Sequence, residues 1–473
     1  MGLRGAFRPM VPLALAALAA CTVPAERQAR EALGALARGD GLAVRPGIGP
    51  APDLPALTAE SSVGDFVKHA VWHNPGLRAA FERWRAALLR VPQATALADP
   101  GLTLMAMWQE GAGIAQRRLE VGQGLPWPGK RQLRGEMALA EAEAARRQFE
   151  AASFELAYQV KDAYCELYYL SRAIAILSET IELAKQAEAV ARSRYQVGNA
   201  QYADVIRAQV ELGKLDNELQ SMEDMKTPVF ALLNAAMDRP PAAPLPVPKA
   251  IPEAQLDADA EQLLARMREA NPMLKMAEAE IAKQDAALRL ADRNFYPDFM
   301  LGLRLTDAAS MMGADSLMPM LGLTLPVWRS KYRAARDEAE ALHDAARRAL
   351  ADRANELSTD LTMALFKLRD SERRVSLYRD NLLPRAEQAY KATQTAYTSG
   401  KATFSDLIDA QRVLLEFRLA HARALTMRVQ RLAEIEKLIG RPLSAAATPA
   451  APEKGEKADP PDRATKPPEA PTP

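Results

Sequence analysis

Tyr397-Thr-Ser-Gly400-Lys-Ala-Thr-Phe-Ser-Asp406-Leu-Ile-Asp409-Ala-Gln411 has an earlier counterpart in the same chain, Tyr195-Gln-Val-Gly198-Asn-Ala-Gln-Tyr-Ala-Asp204-Val-Ile-Arg-Ala-Gln209. Tyr, Gly, Asp and Gln recur at the same internal spacing, 202 positions apart. Each copy stands between two long stretches with helical periodicity. Each therefore reads as the tip of a helical hairpin: Gly198 and Gly400 end an incoming helix where φ > 0 is needed, and the next helix starts a few residues later.

The similarity extends outward from the tips. Asn74-Pro75 answers Asn271-Pro272, Leu125-Pro126 answers Leu325-Pro326, and Arg239-Pro240 answers Arg441-Pro442. The offset drifts by only five residues, from 197 to 202, so one architecture is built twice with few insertions. This gives a first repeat over 61–240, a Pro-rich linker over 241–254 and a second repeat of the same layout over 255–443.

A formal net charge of +1 over 473 residues gives no reason to expect nucleic acid. Few aromatics and abundant Ala, Glu, Arg, Gln and Leu favour long helices over a sandwich or an α/β enzyme. At the N-terminus, basic Arg4 and Arg8 precede an apolar run from Met10 to Ala20, too short to span a membrane as a helix. Residues 1–20 read as a signal peptide. Its end, Leu18-Ala19-Ala20-Cys21, resembles a bacterial lipobox, which implies cleavage before Cys21, lipidation there, and outer-membrane sorting with Thr22 next to it. The bland alternative is an ordinary secreted protein with a chance Cys. With Cys21 acylated, Cys165 has no partner, and no disulfide framework exists. Residues 21–60 read as a lipidated, mixed lead, and 444–473 as an Ala/Pro/Lys/Glu-rich tail expected to be disordered.

Each repeat contains a strand pair. In the first, Leu102, Leu104, Ala106 and Trp108 share one face; Leu119 and Val121 then alternate with Arg118 and Glu120, with Gly111 and Gly113 between the strands. In the second, Phe299, Leu301, Leu303 and Leu305 alternate with Met300, Gly302, Arg304 and Thr306. After a loop around Met312 to Asp315, Leu317, Leu321, Leu323 and Leu325 alternate with Met318, Met320, Gly322 and Thr324. Apolar on one face and mixed on the other is the pattern of a membrane-spanning β-strand, although a half-buried soluble hairpin looks the same.

After each strand pair comes a very long helix. From Pro128 to Gly198 no further Pro occurs, a span of roughly 105 Å at 1.5 Å per residue; from Pro326 to Gly400 the span is similar, interrupted at Pro384. The return helix from Ser405 carries Leu415, Leu419, Ala422, Leu425, Val429, Leu432, Ile435 and Ile439 as one narrow apolar seam. Pro240 to Pro252 reads as an extended strap between the repeats.

Four strands cannot close a barrel, and lipid does not tolerate open sheet edges, because unpaired backbone groups in hydrocarbon cost several kcal/mol each. Hairpins of this length cannot form a compact globule either. The expected fold is therefore mainly α with transmembrane β, in an oligomeric tube whose β-barrel in the membrane continues as a helical barrel.

Lipobox, paired β-hairpins, twofold repeat and the two Gly-x5-Asp-x4-Gln tips together resemble the TolC family of outer-membrane efflux proteins. Gly124-Leu-Pro-Trp-Pro-Gly-Lys-Arg131 and Leu325-Pro-Val-Trp-Arg-Ser-Lys-Tyr-Arg333 are similar to its metal-efflux branch, the CusC- and CzcC-like proteins. The resemblance implies a trimer with a 12-stranded β-barrel and a long periplasmic α-helical barrel closed at its tip. It implies an exit duct of a tripartite efflux system for heavy-metal ions or drugs, working with a periplasmic adaptor and an inner-membrane RND-type pump. The protein would sit in the outer membrane of a Gram-negative bacterium, lipid-anchored and extending into the periplasm. A type I secretion duct and a pore-less coiled-coil adaptor lipoprotein remain alternatives.

No enzyme or cofactor is expected, since the histidines are scattered and no phosphate loop or Ser/His/Asp set can be assembled. His69 and His73, at i and i+4, lack a third metal ligand. By the resemblance, Asp406 and Asp409 match aspartates that ring the closed entrance; in a trimer, repulsion among six carboxylates should raise some of their pKa values and attract cations. The alternative is that they cap a helix through its dipole. Tyr397 and Asp204 match a pair that latches one tip to its neighbour. The family places an Arg in the tip loop where this chain has Ala402, with Lys401 beside it, so the Tyr–Asp bond is left to hold the latch. The hairpin methionines 105, 107, 300, 311, 312, 318 and 320 fit either a soft-metal contact or apolar filler.

Overall fold

The computed structural model describes residues 23–38, 54–109, 113–252, 256, 258–308 and 316–443. The signal segment, Cys21, the tail from 444 and the hairpin loops at 110–112 and 309–315, with Met311 and Met312, lie outside the described residues. A lead helix α1 (Pro24–Arg38) precedes the first repeat. That repeat comprises α2 (Val63–His73), α3 (Pro75–Thr95), β1 (Gly101–Gln109), β2 (Gly113–Leu125), α4 (Lys130–Gln196), α5 (Tyr202–Asp224) and α6 (Lys226–Ala236). The second comprises α7 (Ala260–Ala270), α8 (Pro272–Arg293), β3 (Asp298–Ala308), β4 (Ser316–Thr324), α9 (Arg329–Leu377), a π-helical turn (Tyr378–Leu382), α10 (Leu383–Thr398) and α11 (Phe404–Ile439).

The repeat is a repeat of physical devices as well as of letters. Asn74 and Asn271 both cap a helix whose first residue is proline, with nearly the same extended backbone, φ −61° and ψ 119° against φ −60° and ψ 124°. Each also ties its helix start to the end of a return helix: Asn74 Nδ2 donates to the Ala236 carbonyl at 3.0 Å, and Asn271 Nδ2 to the Leu438 carbonyl at 2.7 Å. Both return helices end in a left-handed residue, Asp238 at φ 54° and Gly440 at φ 73°. At Gly440 glycine is required twice over, because an added Cβ would come within 2.6 Å of Pro272 Cδ.

The four strands form one antiparallel sheet in the order β1-β2-β3-β4, so the repeats meet edge to edge at β2 and β3. Cross-strand register sorts the side chains cleanly. Leu104, Leu119, Leu305 and Leu317 lie in one row, and Leu102, Val121, Leu303 and Pro319 in the next. On the opposite face Thr103, Glu120, Arg304 and Met318 align, and Arg304 Nη2 bonds Glu120 at 2.9 Å. Among the described residues no layer is packed on the apolar face: Leu104 is 74% and Leu321 71% exposed. Such a sheet is unsatisfied twice, in its uncovered leucines and in the open edges of β1 and β4.

Below the sheet, Trp127, Tyr296 and Phe299 stack with ring centroids 5.1 and 5.6 Å apart. Beside them the buried Lys130 donates to Asp298 at 2.8 Å and to the Tyr296 carbonyl at 3.2 Å, fixing the start of α4 to the start of β3. The helix α4 then runs for 67 residues. The buried residues do not gather in one globule. One group around Phe66, Phe81, Trp84 and Phe149 belongs to the first repeat, another around Leu263, Leu361 and Ile435 to the second, and a third lies at the tips. No helix among the described residues is long and apolar enough to cross a membrane.

The structure departs from the sequence reading in four places. Part of the lead that reads as mixed in the sequence is the helix α1, whose Ala25, Ala29 and Leu36 are buried against α3 and α4. It approaches closely at Gly135, where a Cβ would lie 3.1 Å from Ala25 Cβ. The helical pattern that the sequence carries from Ser61 to Val91, broken at Asn74-Pro75, continues as α3 through Pro92 to Thr95, since the fully buried Val91 and Thr95 hold the turn in place. Pro384 does not interrupt the outgoing helix. The π-helical turn just before it widens the spiral where a proline ring would otherwise meet the carbonyl four residues back, and α10 continues to the tip. Finally, α11 is buried more broadly than a narrow seam, because it packs on α4, α9 and α10 together; Ala424, Thr426, Gln430 and Ala433 are buried alongside Leu415 and Leu432, while Leu419, Leu425 and Val429 are only half-buried. The strap is non-helical as expected, and the Tyr164 hydroxyl pins it by donating to the Ala250 carbonyl at 3.1 Å.

Candidate functional site

The two tips have the same construction. Gly198 and Gly400 both adopt φ 78°, and each is followed by an N–H that returns to the helix, Asn199 to the Arg194 carbonyl and Lys401 to the Ala396 carbonyl, both at 2.8 Å. These six-residue closures satisfy the last carbonyls of α4 and α10. Beneath them Tyr397 and Phe404 meet edge to face at 5.6 Å over Leu407 and Ile408.

Asp406 and Asp409 are exposed on α11, turned away from the buried Leu407 and Ile408. Asp406 belongs to a capping box: its carboxylate accepts from the Thr403 N–H at 2.9 Å and from the Thr403 hydroxyl at 2.7 Å, while Thr403 caps the Asp406 N–H. The hydrogen bond from the Thr403 side chain holds the Asp406 carboxyl below the usual range. Within one chain this is opposite to the upward shift expected from a crowded ring. Asp409 lies 3.6 Å from Arg412.

The expected Tyr397–Asp204 bond is not made within the chain. The Tyr397 hydroxyl is buried with no hydrogen-bond partner among the described residues, and the Asp204 carboxylate lies 3.7 Å from Arg207 instead. Burial pushes the Tyr397 phenol up, against the pull of Arg194. Arg194 does the gripping. Its guanidinium stacks over the Tyr397 ring at 4.8 Å, donates to the Tyr397 carbonyl, and passes 3.5 Å from where a Gly400 Cβ would be. Ala402 is partly buried in the tip core, so that position turns inward and Lys401 stays exposed.

Further ties hold the two hairpins together near the tips. Gln411 is buried and donates to the Thr180 carbonyl at 3.0 Å. Arg412 bonds the buried Glu211 through Nε at 2.9 Å, and Arg418 bonds Glu179 at 3.0 Å. Sequence reading missed Arg194, Arg412 and Glu211, although a signal existed: where the repeats diverge, Arg194 answers Ala396, Arg412 answers Val210 and Glu211 answers Val413. The hydrogen bond from Arg412 holds the Glu211 carboxyl below its ordinary 4.5. A depressed carboxyl stabilises the fold above its ordinary value and loses that contribution as pH falls through the depressed one. Acid below pH 4.5 should therefore loosen the tips. At neutral pH Glu211→Gln should do the same, raising amide exchange at residues 198–210 about tenfold, the effect of a charged hydrogen bond of roughly 1.5 kcal/mol; unchanged exchange by mass spectrometry would refute the tie.

His69 and His73 stack at 6.0 Å, but each has a structural bond, His69 Nε2 with the Pro55 carbonyl at 3.0 Å and His73 Nδ1 with the His69 carbonyl at 2.8 Å. Among the described residues no group of three or more His, Cys, Asp or Glu side chains is placed to hold a metal.

The sequence pattern of the family described as Outer membrane efflux protein matches this chain twice, over residues 67–229 and 263–441. The chain belongs to that family. The two matches coincide with the two structural repeats, so the duplication is the family's own unit. This efflux protein is 24% identical over 333 residues to the cobalt-zinc-cadmium resistance protein CzcC of Cupriavidus metallidurans, covering 66% of this chain and 74% of that one. It is 25% identical over 350 residues to protein CyaE of Bordetella pertussis, covering 65% and 72%. Among solved structures, the outer-membrane channel OprN superposes with a TM-score of 0.69 at 20% identity, over 83% of this chain and 99% of that one. CusC, in a study of transmembrane channel formation, gives 0.70 at 15%, with the same coverage. The Campylobacter jejuni outer membrane channel CmeC gives 0.70 at 14%, over 82% and 90%. The family and these neighbours are channels, and the efflux protein shares their fold.

Proposed function

We propose that this efflux protein is the outer-membrane exit duct of a tripartite efflux system, a homotrimer whose sheets close a 12-stranded barrel. The observation that carries the reading is the sheet: one face of uncovered leucines, one face bearing Glu120, Arg304 and Thr103, and two open edges. Lipid would cover the first face, water the second, and neighbouring copies the edges. A pore-less adaptor leaves all three unexplained. The helices continue the barrel into the periplasm, where an adaptor and an inner-membrane pump of the RND type would engage the tips and supply the energy. Acylation of Cys21 would add a lipid anchor. Heavy-metal ions are the favoured cargo on the likeness to CzcC.

In this assembly the exposed Asp406 and Asp409 of three chains ring the closed entrance, and the cap that fixes Asp406 also orients its charge. Arg194 and Tyr397 keep each chain's tips joined. Replacing both aspartates with alanine should raise single-channel current in planar bilayers or weaken block by divalent cations. If the double variant conducts and is blocked as the wild type is, the ring of carboxylates is not the gate.

A further inference from the structure

The placement of methionine in the sheet is one-sided. Met105 and Met107 of β1, Met300 of β3, and Met318 and Met320 of β4 all fall on the face that carries Glu120 and Arg304, by the cross-strand register. The leucine-rich face of the described strands carries none. Filler methionine belongs among apolar neighbours. Here its neighbours are Thr103, Arg118, Thr306, Ser316 and the glycines 122, 124, 302 and 322. Nor are these side chains packed away, for Met105 is 50%, Met107 55%, Met300 52% and Met318 49% exposed. The glycines leave them room: a Cβ at Gly302 would lie 2.9 Å from Met320 Cε, and one at Gly322 would lie 3.4 Å from Met300 Cβ.

Their distribution among the strands is also uneven. Four of the five stand on β1 and β4, the open edges, and none on β2. A barrel made of copies must join β4 of one chain to β1 of the next, which puts Met318 and Met320 on the same seam, and on the same face, as the neighbouring Met105 and Met107. Met300 stands one step diagonally from Met320 across the β3–β4 pair.

We propose that these thioethers form soft-cation sites along the subunit seams of the lumen, selecting monovalent ions of the Cu(I) and Ag(I) class. Thioethers are neutral, polarisable ligands that favour such ions over Zn²⁺ or Mg²⁺. Several weak sites in series also suit a conduit, where an ion must bind well enough to enter and weakly enough to leave. The proposal rests on the duct reading and narrows its cargo to soft ions.

Ag(I), supplied as the nitrate in chloride-free buffer, is the probe. The full-length protein in detergent is compared with M105L/M107L, with M318L/M320L, and with the variant carrying all five Met→Leu changes, all nearly volume-conserving. After equilibrium dialysis at micromolar silver, the wild type should retain at least one more silver per chain than the fivefold variant. Half-occupancy should need at least tenfold more silver in each double variant, while Zn(II) retention stays equal. Cys165 is present throughout, fully buried with its thiol pushed up to about 12, and cannot produce the difference. Equal silver retention in wild type and either surviving variant overturns the proposal. Current across a planar bilayer from the same wild-type preparation tests the duct reading separately: silver sites without current would sink the duct alone, and current without silver sites the methionine assignment alone.

Discussion

Leu303→Arg should abolish assembly in the outer membrane, while Thr103→Arg assembles almost as well as the wild type. Leu303 stands mid-strand on the leucine face, in a row with Val121 and Pro319; Thr103 stands on the other face, opposite Glu120. An arginine facing lipid near the bilayer midplane costs about 2–4 kcal/mol, and three copies would cost roughly 6–12 kcal/mol. The same residue on the watery face meets a carboxylate. Heat-modifiable trimers on unboiled gels, from membranes carrying each variant, read the difference. Equal trimer yields would mean that the leucine face does not meet lipid.

Arg194→Ala should open the channel far more than Tyr397→Phe does. Alanine removes the stacking on the Tyr397 ring and the charged bond to its carbonyl, together worth about 2–4 kcal/mol in each chain. That corresponds to a roughly thirtyfold to several-hundredfold change in the closed-to-open ratio of one tip. Tyr397→Phe deletes a hydroxyl that has no hydrogen-bond partner among the described residues. Arg194→Lys, which keeps the charge and loses the flat guanidinium, should fall between the two. Open probability in planar bilayers separates them. A Tyr397→Phe channel as open as Arg194→Ala would return the latch to the Tyr–Asp pair, made between chains.

The parts of this protein that were legible in advance are those that follow from periodicity. The glycine tips, the Asn-Pro helix starts and the two-residue alternation of the strands each impose a local backbone rule, and the duplication states each rule twice. The strand register adds only the confirmation that Leu104, Leu119, Leu305 and Leu317 form one row. What escaped depends on contacts between distant segments. α1 hides in a lead that also contains Pro and Gly, although Ala25, Ala29 and Leu36 lie on one helical face. Pro384 looked like a break because one turn of π-helix is invisible to a 3.6-residue pattern. The tip clamp escaped because attention to what the repeats share passes over where they differ. Arg194, Arg412 and Glu211 have no charged counterpart in the other copy, and each makes its bond across to the other hairpin. In a duplicated chain, pairing between copies is written in the asymmetries.

The claim beneath both experiments is that one chain supplies a third of a closed barrel. Native mass spectrometry of the full-length wild-type protein, extracted from outer membranes in mild detergent, tests it most directly. Particles of three chains are the expected result. A single-chain particle, or a closed ring of any other number, would contradict it.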